Sequence, residues 1–151
     1  MSPAYLVAIV VVLLDQWSKA WALEHLSGAG VVPLLPGLVQ QRLVFNTGAA
    51  FSLMEGNALL LGLVSMAVAG ALVFWIQTSG PLRRLQWFGL GLLLGGAIGN
   101  GLDRWRLGSV IDFLEFVPIS FPVFNAADVA INLAVVCLLG DLLQQQIRPL
   151  R

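Results

Sequence analysis

The sequence predicts an all-α membrane protein with four transmembrane helices, a small strand-and-turn element and an interfacial segment. Of its 151 residues, 58% are hydrophobic and 11% are charged. A soluble domain has about 25% charged residues and needs polar groups to cover its surface. Four apolar stretches also have the length that a membrane-crossing helix requires, roughly 20 residues. A soluble domain is therefore excluded, and so is a disordered chain, which would be poor in apolar residues.

The four predicted spans cover residues 3–23, 58–76, 85–102 and 126–143. The second span is the most apolar, with Ser65 as its one polar side chain. The first is interrupted by polar residues in its outer third, yet it lacks the basic start and the small-residue cleavage site of a signal peptide. We therefore expect a retained helix, and we expect residues 1–151 to form a single integral membrane domain.

Four spans place both termini on one side of the membrane, together with the short loop between the second and third spans. That side carries four arginines, Arg83, Arg84, Arg148 and Arg151. Basic residues collect on the cytoplasmic side, so we expect both termini to be cytoplasmic. The opposite half also has four basic residues, and the count by itself therefore does not decide the orientation.

Two longer segments then lie on the outer side, residues 24–57 and 104–125. The first contains Pro33, Pro36 and several glycines between short apolar runs, which predicts the strand-and-turn element. The second contains Pro118 and Pro122 in a mixed apolar stretch. Part of it is predicted to lie in the membrane interface as an amphipathic segment.

Polar side chains occur in three of the spans at the same level, near their outer ends. They are Asp15 and Lys19 in the first span, Asn100 and Asp103 at the end of the third, and Asp128 and Asn132 in the fourth. Asp112, in the second outer segment, can reach that level too. Ionisable residues within a membrane are costly and are functional by default. The sequence therefore predicts a site near the outer leaflet.

Some of these residues also have a purely structural interpretation. Asp15 and Lys19 are spaced i,i+4 and form either a structural ion pair or a support for the site. Asp128 suits a helix N-cap, and Asp103 can simply mark the end of a span. For a row of glycines at four-residue spacing, Gly91, Gly95 and Gly99, close helix packing is the leading interpretation.

The inventory of reactive side chains limits the chemistry. One cysteine, Cys137, and one histidine, His25, leave no disulfide and no usual zinc site. A zero formal charge does not indicate nucleic acid. Aspartates remain, and two of them close together share one proton, so that one acts as a base and the other as an acid. Such a pair serves an aspartic protease, whereas a small proton-coupled transporter or channel subunit could use the same acids.

Five motifs occur in a fixed order along the chain: DQWSK at 15–19, NTGAAFS at 46–52, GGAIGNGLDR at 95–104, VIDF at 110–113 and FNAAD at 124–128. Together with the four spans, this set resembles the bacterial lipoprotein signal peptidase family, also called signal peptidase II. The resemblance extends over about residues 15–131. It implies a membrane aspartyl endopeptidase that cleaves the signal peptide of diacylglyceryl-modified prolipoproteins just before the lipidated cysteine.

By the same resemblance, the catalytic pair is Asp112 and Asp128. Asp103 is the rival candidate, and we place it among the supporting residues, paired with the adjacent Arg104. The other residues expected to hold substrate or support the site are Asn46, Asn100, Arg104, Asn125, Asp15 and Lys19.

The resemblance further implies a protein of the bacterial inner membrane, and with cytoplasmic termini the active site is expected toward the outer leaflet. Prolipoproteins and membrane lipid are the expected partners, and we expect a monomer. No metal or organic cofactor is expected. Residues 49–51, in the first outer segment, are expected to shelter the site from water.

Overall fold

A computed structural model describes residues 2–48 and 56–147 of the chain. In order, its elements are α1 (Pro3–Leu26), β1 (Val32–Leu35), β2 (Val39–Asn46), α2 (Ala58–Thr78), α3 (Arg84–Leu107), β3 (Val110–Phe116) and α4 (Ala126–Ile147). Each of the four helices is long and apolar enough to cross a membrane. The predicted fold class, four transmembrane helices with a small strand element, is confirmed.

Each helix continues beyond the apolar stretch that predicted it. A hydropathy-based span stops where the apolar run ends, whereas a helix continues for as long as its backbone hydrogen bonds can form. The helix α3 ends only at Gly108, whose φ of 71° is the left-handed conformation of a glycine C-cap. Arg104 therefore lies in the last turn of α3, and its predicted position at the start of an outer loop is wrong.

The helix α3 is the central and most buried helix of the bundle. Its glycines bring α1 into close contact, since a Cβ atom on Gly91 would lie 2.6 Å from the carbonyl oxygen of Ala4. A Cβ atom on Gly95 would likewise lie 2.8 Å from the carbonyl oxygen of Ala8. Only glycine permits this approach, and the predicted packing role of this row is confirmed.

Glycines on the other faces of α3 set the contacts with the remaining helices. Gly96 lies against the carbonyl of Ala127 at the start of α4, and Gly101 lies against Ser65 of α2. These contacts place α1 parallel to α3, with α2 and α4 running in the opposite direction. The end of the bundle where α1 and α3 finish and α2 and α4 begin carries the three strands, and we call it the sheet end.

At the opposite end of the bundle, an ion pair between Arg83 and Asp141 joins α3 to α4. The guanidinium of Arg83, just before α3, donates from Nε to Oδ1 of Asp141 in α4 at 2.7 Å. The carboxylate of Asp141 also accepts a hydrogen bond from Gln145. This pair fastens the start of α3 to the last part of α4, far along both helices from the sheet end.

The three strands form one antiparallel sheet in the order β1–β2–β3. The strand-and-turn element is thus larger than predicted, because its third strand comes from residues 104–125, where an interfacial segment was predicted. Pairing partners of β3 lie far away in sequence, as in Val44 opposite Asp112 and Val39 opposite Phe116. Local pattern therefore did not reveal this strand, whose apolar run is interrupted by two acids.

The sheet is fastened to the end of α1 by a small apolar cluster. Ile111 and Phe113 of β3 pack against Ala22 and Leu26 of α1, all of them buried. Because neighbouring side chains of a strand point to opposite faces, Asp112 between them points to the other face of the sheet. The packing of β3 therefore determines the direction of the Asp112 carboxylate.

Candidate active site

Lys19 is the centre of a buried polar cluster at the sheet end. Its ammonium nitrogen lies 2.8 Å from a carboxylate oxygen of Asp15 and 2.9 Å from one of Asp103. It also donates a hydrogen bond of 3.0 Å to Oδ1 of Asn100. Lys19 is 1% exposed, and a charge this deeply buried needs such pairing. The predicted Asp15–Lys19 ion pair is present, with Asp103 as a third member.

The predicted pairing of Asp103 with Arg104 is wrong. Neighbouring residues of a helix point about 100° apart, so the two side chains leave α3 in different directions. The carboxylate of Asp103 accepts instead from the main-chain N–H of Ile111, at 3.2 Å. The guanidinium of Arg104 donates to the main-chain carbonyl of Gly48, at 3.1 Å. Asp103 thus joins α3 to β3, and Arg104 joins α3 to the end of β2.

Asp15 connects α1 to two other helices. Its Oδ1 accepts from the main-chain N–H of Ala127 in the first turn of α4, at 3.0 Å. Its other oxygen lies against Gly99 of α3, where a Cβ atom would be only 2.5 Å away. Gln16 adds a hydrogen bond of 3.0 Å to Oδ1 of Asp103. We did not single out Gln16 from the sequence, although its position beside Asp15 in an apolar span was a signal for it.

Two asparagines connect the Lys19 cluster to Asp112 and Asp128. The amide oxygen of Asn100 accepts from Lys19 and from the side-chain nitrogen of Asn125, at 3.0 Å each. Because the oxygen faces these two donors, the amide nitrogen of Asn100 faces Asp128 and donates to it at 2.9 Å. The side-chain nitrogen of Asn125 also donates to Asp112 at 2.6 Å. Lys19 thereby determines which way the amide of Asn100 points.

Asp128 is also held by the start of α4. Its main-chain N–H donates to Oδ1 of Asn125 at 3.0 Å, and its carboxylate accepts from the main-chain N–H of Asn125 at 3.1 Å. This reciprocal pair is a capping box. The N-cap is therefore Asn125, and the alternative that Asp128 itself is the N-cap is wrong. Asp128 is the third residue of the helix, where the box limits the positions its carboxylate can take.

Asp112 lies on β3 with both carboxylate oxygens hydrogen-bonded. Asn46, at the end of the neighbouring strand β2, donates to Oδ2 at 2.9 Å, and Asn125 donates to Oδ1. Burial raises the pKa of Asp112 to about 6, because it disfavours the charged form. The charge of Asp128 raises this pKa further, whereas the hydrogen bonds from Asn46 and Asn125 lower it. The carboxyl group therefore titrates close to neutral pH.

Both aspartates line a groove of about 710 Å³ at the sheet end. Asn46, Asn100 and Arg104 form part of its polar wall. Three aromatic side chains that touch one another, Phe116, Phe121 and Phe124, form an apolar wall beside them. The groove then continues along α4, where its lining includes Val129, Asn132, Leu133 and Val136. The sequence did not predict the aromatic wall, because its members come from β3 and the segment after it.

The structure brings most of the predicted site residues together. Asp15, Lys19 and Asp103 support the site from behind, and Asn125, which is 0% exposed, connects Asp112 with Asn100 and Asp128. Residues 49–51, which were expected to shelter the site, lie outside the described residues. Within residues 2–48 and 56–147, no group of three or more His, Cys, Asp or Glu side chains is arranged to hold a metal ion.

The molecule has four membrane-crossing helices and a groove lined by two aspartates, each of which accepts hydrogen bonds from asparagines. These features are those of one class of protein, the membrane-embedded aspartic peptidases. Comparison with known proteins identifies the family within this class. The model of the signal peptidase II family matches residues 7–144, and the chain belongs to that family.

Named relatives agree with this assignment. The lipoprotein signal peptidase of Parasynechococcus marenigrum (strain WH8102) is 52% identical over 141 residues, which is 93% of this chain and 89% of the relative. That of Synechococcus sp. (strain RCC307) is 50% identical over 137 residues, 90% of this chain and 91% of the relative. The chain is therefore a peptidase and a multi-pass protein of a bacterial inner membrane, and the transporter alternative is not supported.

Two solved structures share the fold. One is described as a bacterial membrane enzyme determined by the in meso method at 2.3 Å resolution. The match covers 100% of this chain and 96% of the solved chain, with a TM-score of 0.86 and 23% identity. The other, at 1.9 Å resolution, covers 96% of this chain and 95% of its own, with a TM-score of 0.85 and 25% identity. The arrangement of four helices and a small sheet is thus an established membrane-enzyme fold.

Proposed function

We propose that this protein cleaves the signal peptide of diacylglyceryl-modified prolipoproteins just before the lipidated cysteine, with Asp112 and Asp128 as the catalytic pair. The observation that carries the proposal is the placement of two aspartates, joined through Asn125, in a groove that continues along the lipid-facing side of α4. The relatives named above as lipoprotein signal peptidases supply the substrate class.

Asp112 is the proton donor of the pair in this proposal, and Asp128 is the base. The raised pKa of Asp112, about 6, is compatible with the donor role, because a carboxyl group with such a pKa retains a proton more readily than an ordinary aspartate. Asp103, the rival candidate, does not line the groove. Its carboxylate forms an ion pair with Lys19 and accepts hydrogen bonds from Gln16 and from the main-chain N–H of Ile111. It therefore has a supporting role.

The reaction then has two steps. In the first, Asp128 removes a proton from a water molecule whose oxygen attacks the scissile carbonyl carbon, while Asp112 donates its proton to the carbonyl oxygen. In the second, the tetrahedral intermediate returns a proton to Asp112, the carbon–nitrogen bond breaks, and Asp128 protonates the leaving amine of the cysteine. Both aspartates end in their starting states. General acid–base catalysis of this type contributes typically 10²–10⁴-fold to a rate.

The surrounding amides hold the two carboxylates rather than the substrate. The side-chain nitrogens of Asn100 and Asn125 are already engaged with aspartates, and their oxygens accept from other groups of the site. A preorganised pair of this kind needs no rearrangement when the reaction begins. Arg104, which faces the groove, has donors available for substrate in the part of the chain that the structure describes. A guanidinium has five N–H donors, and within residues 2–48 and 56–147 two of those of Arg104 are engaged.

The location of the site in the membrane follows from the orientation we propose. Arg83 and Arg84 lie at the end opposite the sheet, and the positive-inside rule supports a cytoplasmic location of that end. The groove then opens at the outer leaflet, on the periplasmic side. The proposed mechanism uses the side chains of one copy of the chain, and we propose that a monomer is sufficient for it.

The test is cleavage by purified protein in detergent of two matched precursors, one with and one without the diacylglyceryl group. We expect cleavage of the lipidated precursor alone, because the acyl chains lie in the lipid beside the helices and fix the depth of the cysteine. Equal rates for the two precursors would remove the lipid requirement. No cleavage of either would contradict the proposed function.

A further inference from the structure

Asn132 is the one side-chain amide of α4 between Asp128 and Asp141. It lies one helical turn deeper than Asp128, on the same face, and lines the same groove. Its neighbours there, Val129, Leu133 and Val136, are apolar and exposed, as expected of a surface that faces lipid. Placing an amide on such a surface is unfavourable unless its polar atoms form hydrogen bonds. Both polar atoms of Asn132 therefore need hydrogen-bond partners.

Only half of the Asn132 amide has a partner in the part of the chain that the structure describes. Its nitrogen donates to the main-chain carbonyl of Asp128, at 2.9 Å. This bond turns the amide oxygen away from its own helix. Within residues 2–48 and 56–147, no group donates a hydrogen bond to that oxygen, which is therefore available to a molecule in the groove.

We propose that Asn132 is a substrate-binding residue whose amide oxygen accepts a hydrogen bond from a main-chain N–H of the signal peptide, on the N-terminal side of the cleaved bond. The inference rests on the function proposed above. A peptide that is cleaved must be extended at the cleaved bond, and an extended peptide has N–H groups without partners in a membrane. Asn132 supplies an acceptor for one of them at the depth where the peptide enters from the bilayer.

The spacing indicates which N–H group is involved. Four residues of helix advance about 6 Å, at 1.5 Å per residue, and an extended peptide advances about 3.3 Å per residue. The group that reaches Asn132 therefore lies about two residues before the scissile carbonyl at Asp128. Asn132 would favour substrates that are extended at this point over those still helical there.

The experiment combines a protein variant with altered substrates. Asn132→Ala is compared with Leu139→Ala, an equivalent truncation of an exposed α4 side chain outside the groove. The substrates are synthetic lipidated peptides in which each of the three amides before the cleaved bond is replaced in turn by an ester, which removes its N–H. KM and kcat are measured separately for each pair.

For Asn132→Ala we expect a rise in KM of about 3- to 10-fold, the effect of one lost hydrogen bond, with little change in kcat. With the wild-type protein, one of the three ester substrates should show the same rise. In Asn132→Ala, that ester should raise KM no further. In Leu139→Ala, it should raise KM as much as in the wild-type protein. A purely structural role of Asn132 would not produce this dependence on a single substrate amide.

The results that would overturn the inference are distinct from those that would overturn the proposed function. If the wild-type protein cleaves the all-amide peptide but Asn132→Ala has an unchanged KM, the inference is wrong and the function stands. Equal ester effects in wild-type protein and Asn132→Ala would also overturn it. If the wild-type protein cleaves none of the peptides, the function and the inference both fail. The wild-type ester series does not depend on whether any variant folds.

Discussion

At the scale of single residues, the site depends on how two asparagines are oriented. An amide presents a donor on one side and an acceptor on the other. In Asn100 the oxygen is taken by Lys19 and Asn125, which leaves the nitrogen for Asp128. Lys19 forms its ion pairs with Asp15 and Asp103 and supports Asp112 and Asp128 indirectly, through this chain of hydrogen bonds.

Replacing either aspartate of the pair by asparagine should reduce turnover by at least about 100-fold. Asp112→Asn removes the proposed donor and Asp128→Asn removes the proposed base, while the side-chain volume hardly changes. The measurement is turnover of a lipidated precursor, with a thermal melt to show that each variant is folded. Glu115→Gln, three residues along the same strand from Asp112, is the control and should remain near wild type. Near-normal turnover in either aspartate variant would refute the assignment.

The pH dependence of kcat/KM should report the raised pKa of Asp112. Since the protonated form is the proposed donor, kcat/KM is expected to fall as the pH rises through about 6, the pKa of that group. The observed value belongs to the coupled pair of aspartates. Asn46 donates to the carboxylate and lowers this pKa, so Asn46→Ala should shift the decline to higher pH.

The control for this measurement is Arg42→Ala on the same strand β2, where Arg42 pairs with Glu115 away from the groove. It should leave the pH profile where it is in the wild-type protein. A profile for Asn46→Ala that moves to lower pH, or does not move, would mean that Asp112 is not the group that loses its proton in this range.

At the scale of elements, α3 organises the molecule because its glycines let three helices approach it closely. The same contacts that pack the bundle also aim the functional groups, since Gly99 lies against the carboxylate of Asp15. Asp15 in turn holds the first turn of α4 through Ala127, one residue before Asp128. The packing of α1 on α3 is therefore coupled to the position of the proposed base.

Gly99→Ala should damage both stability and activity. A Cβ atom there would lie 2.5 Å from Oδ2 of Asp15, which is held by Lys19 and cannot move freely. Overpacking of this kind typically costs about 1–3 kcal/mol. Gly70→Ala is the matched control, because a Cβ atom on Gly70 of α2 has no neighbour within 4 Å. Thermal melts and precursor cleavage should show losses for Gly99→Ala only; equal melting temperatures for the two variants would contradict the coupling.

At the scale of the whole molecule, polar chemistry is concentrated at one end of a bundle whose outside is apolar. The Lys19 cluster, the two aspartates and the groove all lie at the sheet end, whereas the Arg83–Asp141 pair joins the other end. The groove opens sideways along α4, so a substrate anchored in the bilayer can reach it without leaving the membrane. This geometry suits a substrate that carries both a signal helix and acyl chains.

The proposed orientation predicts which end of the bundle reacts with a membrane-impermeant thiol reagent. In a Cys137→Ala background, Ala29→Cys places a thiol in the exposed turn after α1, at the sheet end, and Gly80→Cys places one between α2 and α3. In intact spheroplasts, which expose the periplasmic face, the first should be labelled and the second should not. Both should be labelled after the membrane is permeabilised. The reverse pattern in intact spheroplasts would overturn the orientation.

The sequence by itself determined the membrane class, the four helices and the identity of most site residues. These depend on local properties: the length of apolar stretches, the four-residue spacing of Gly91, Gly95 and Gly99, and motifs that are contiguous in the chain. The i,i+4 pairing of Asp15 with Lys19 was readable for the same reason, since both residues lie on one face of one helix.

Only the tertiary structure decided how those residues are connected. The strand β3 was missed because its partners in β2 are 64 or more residues away, as for Asn46 and Val110. The pairing of Asp103 with Lys19 rather than Arg104 depends on how α1 packs on α3. The N-cap role of Asn125 and the position of Asn132 in the groove depend on the loop before α4 and on the aromatic wall opposite. Residues adjacent in a helix rarely pair with each other, because their side chains point in different directions. Tertiary packing instead brings together side chains that are distant in sequence.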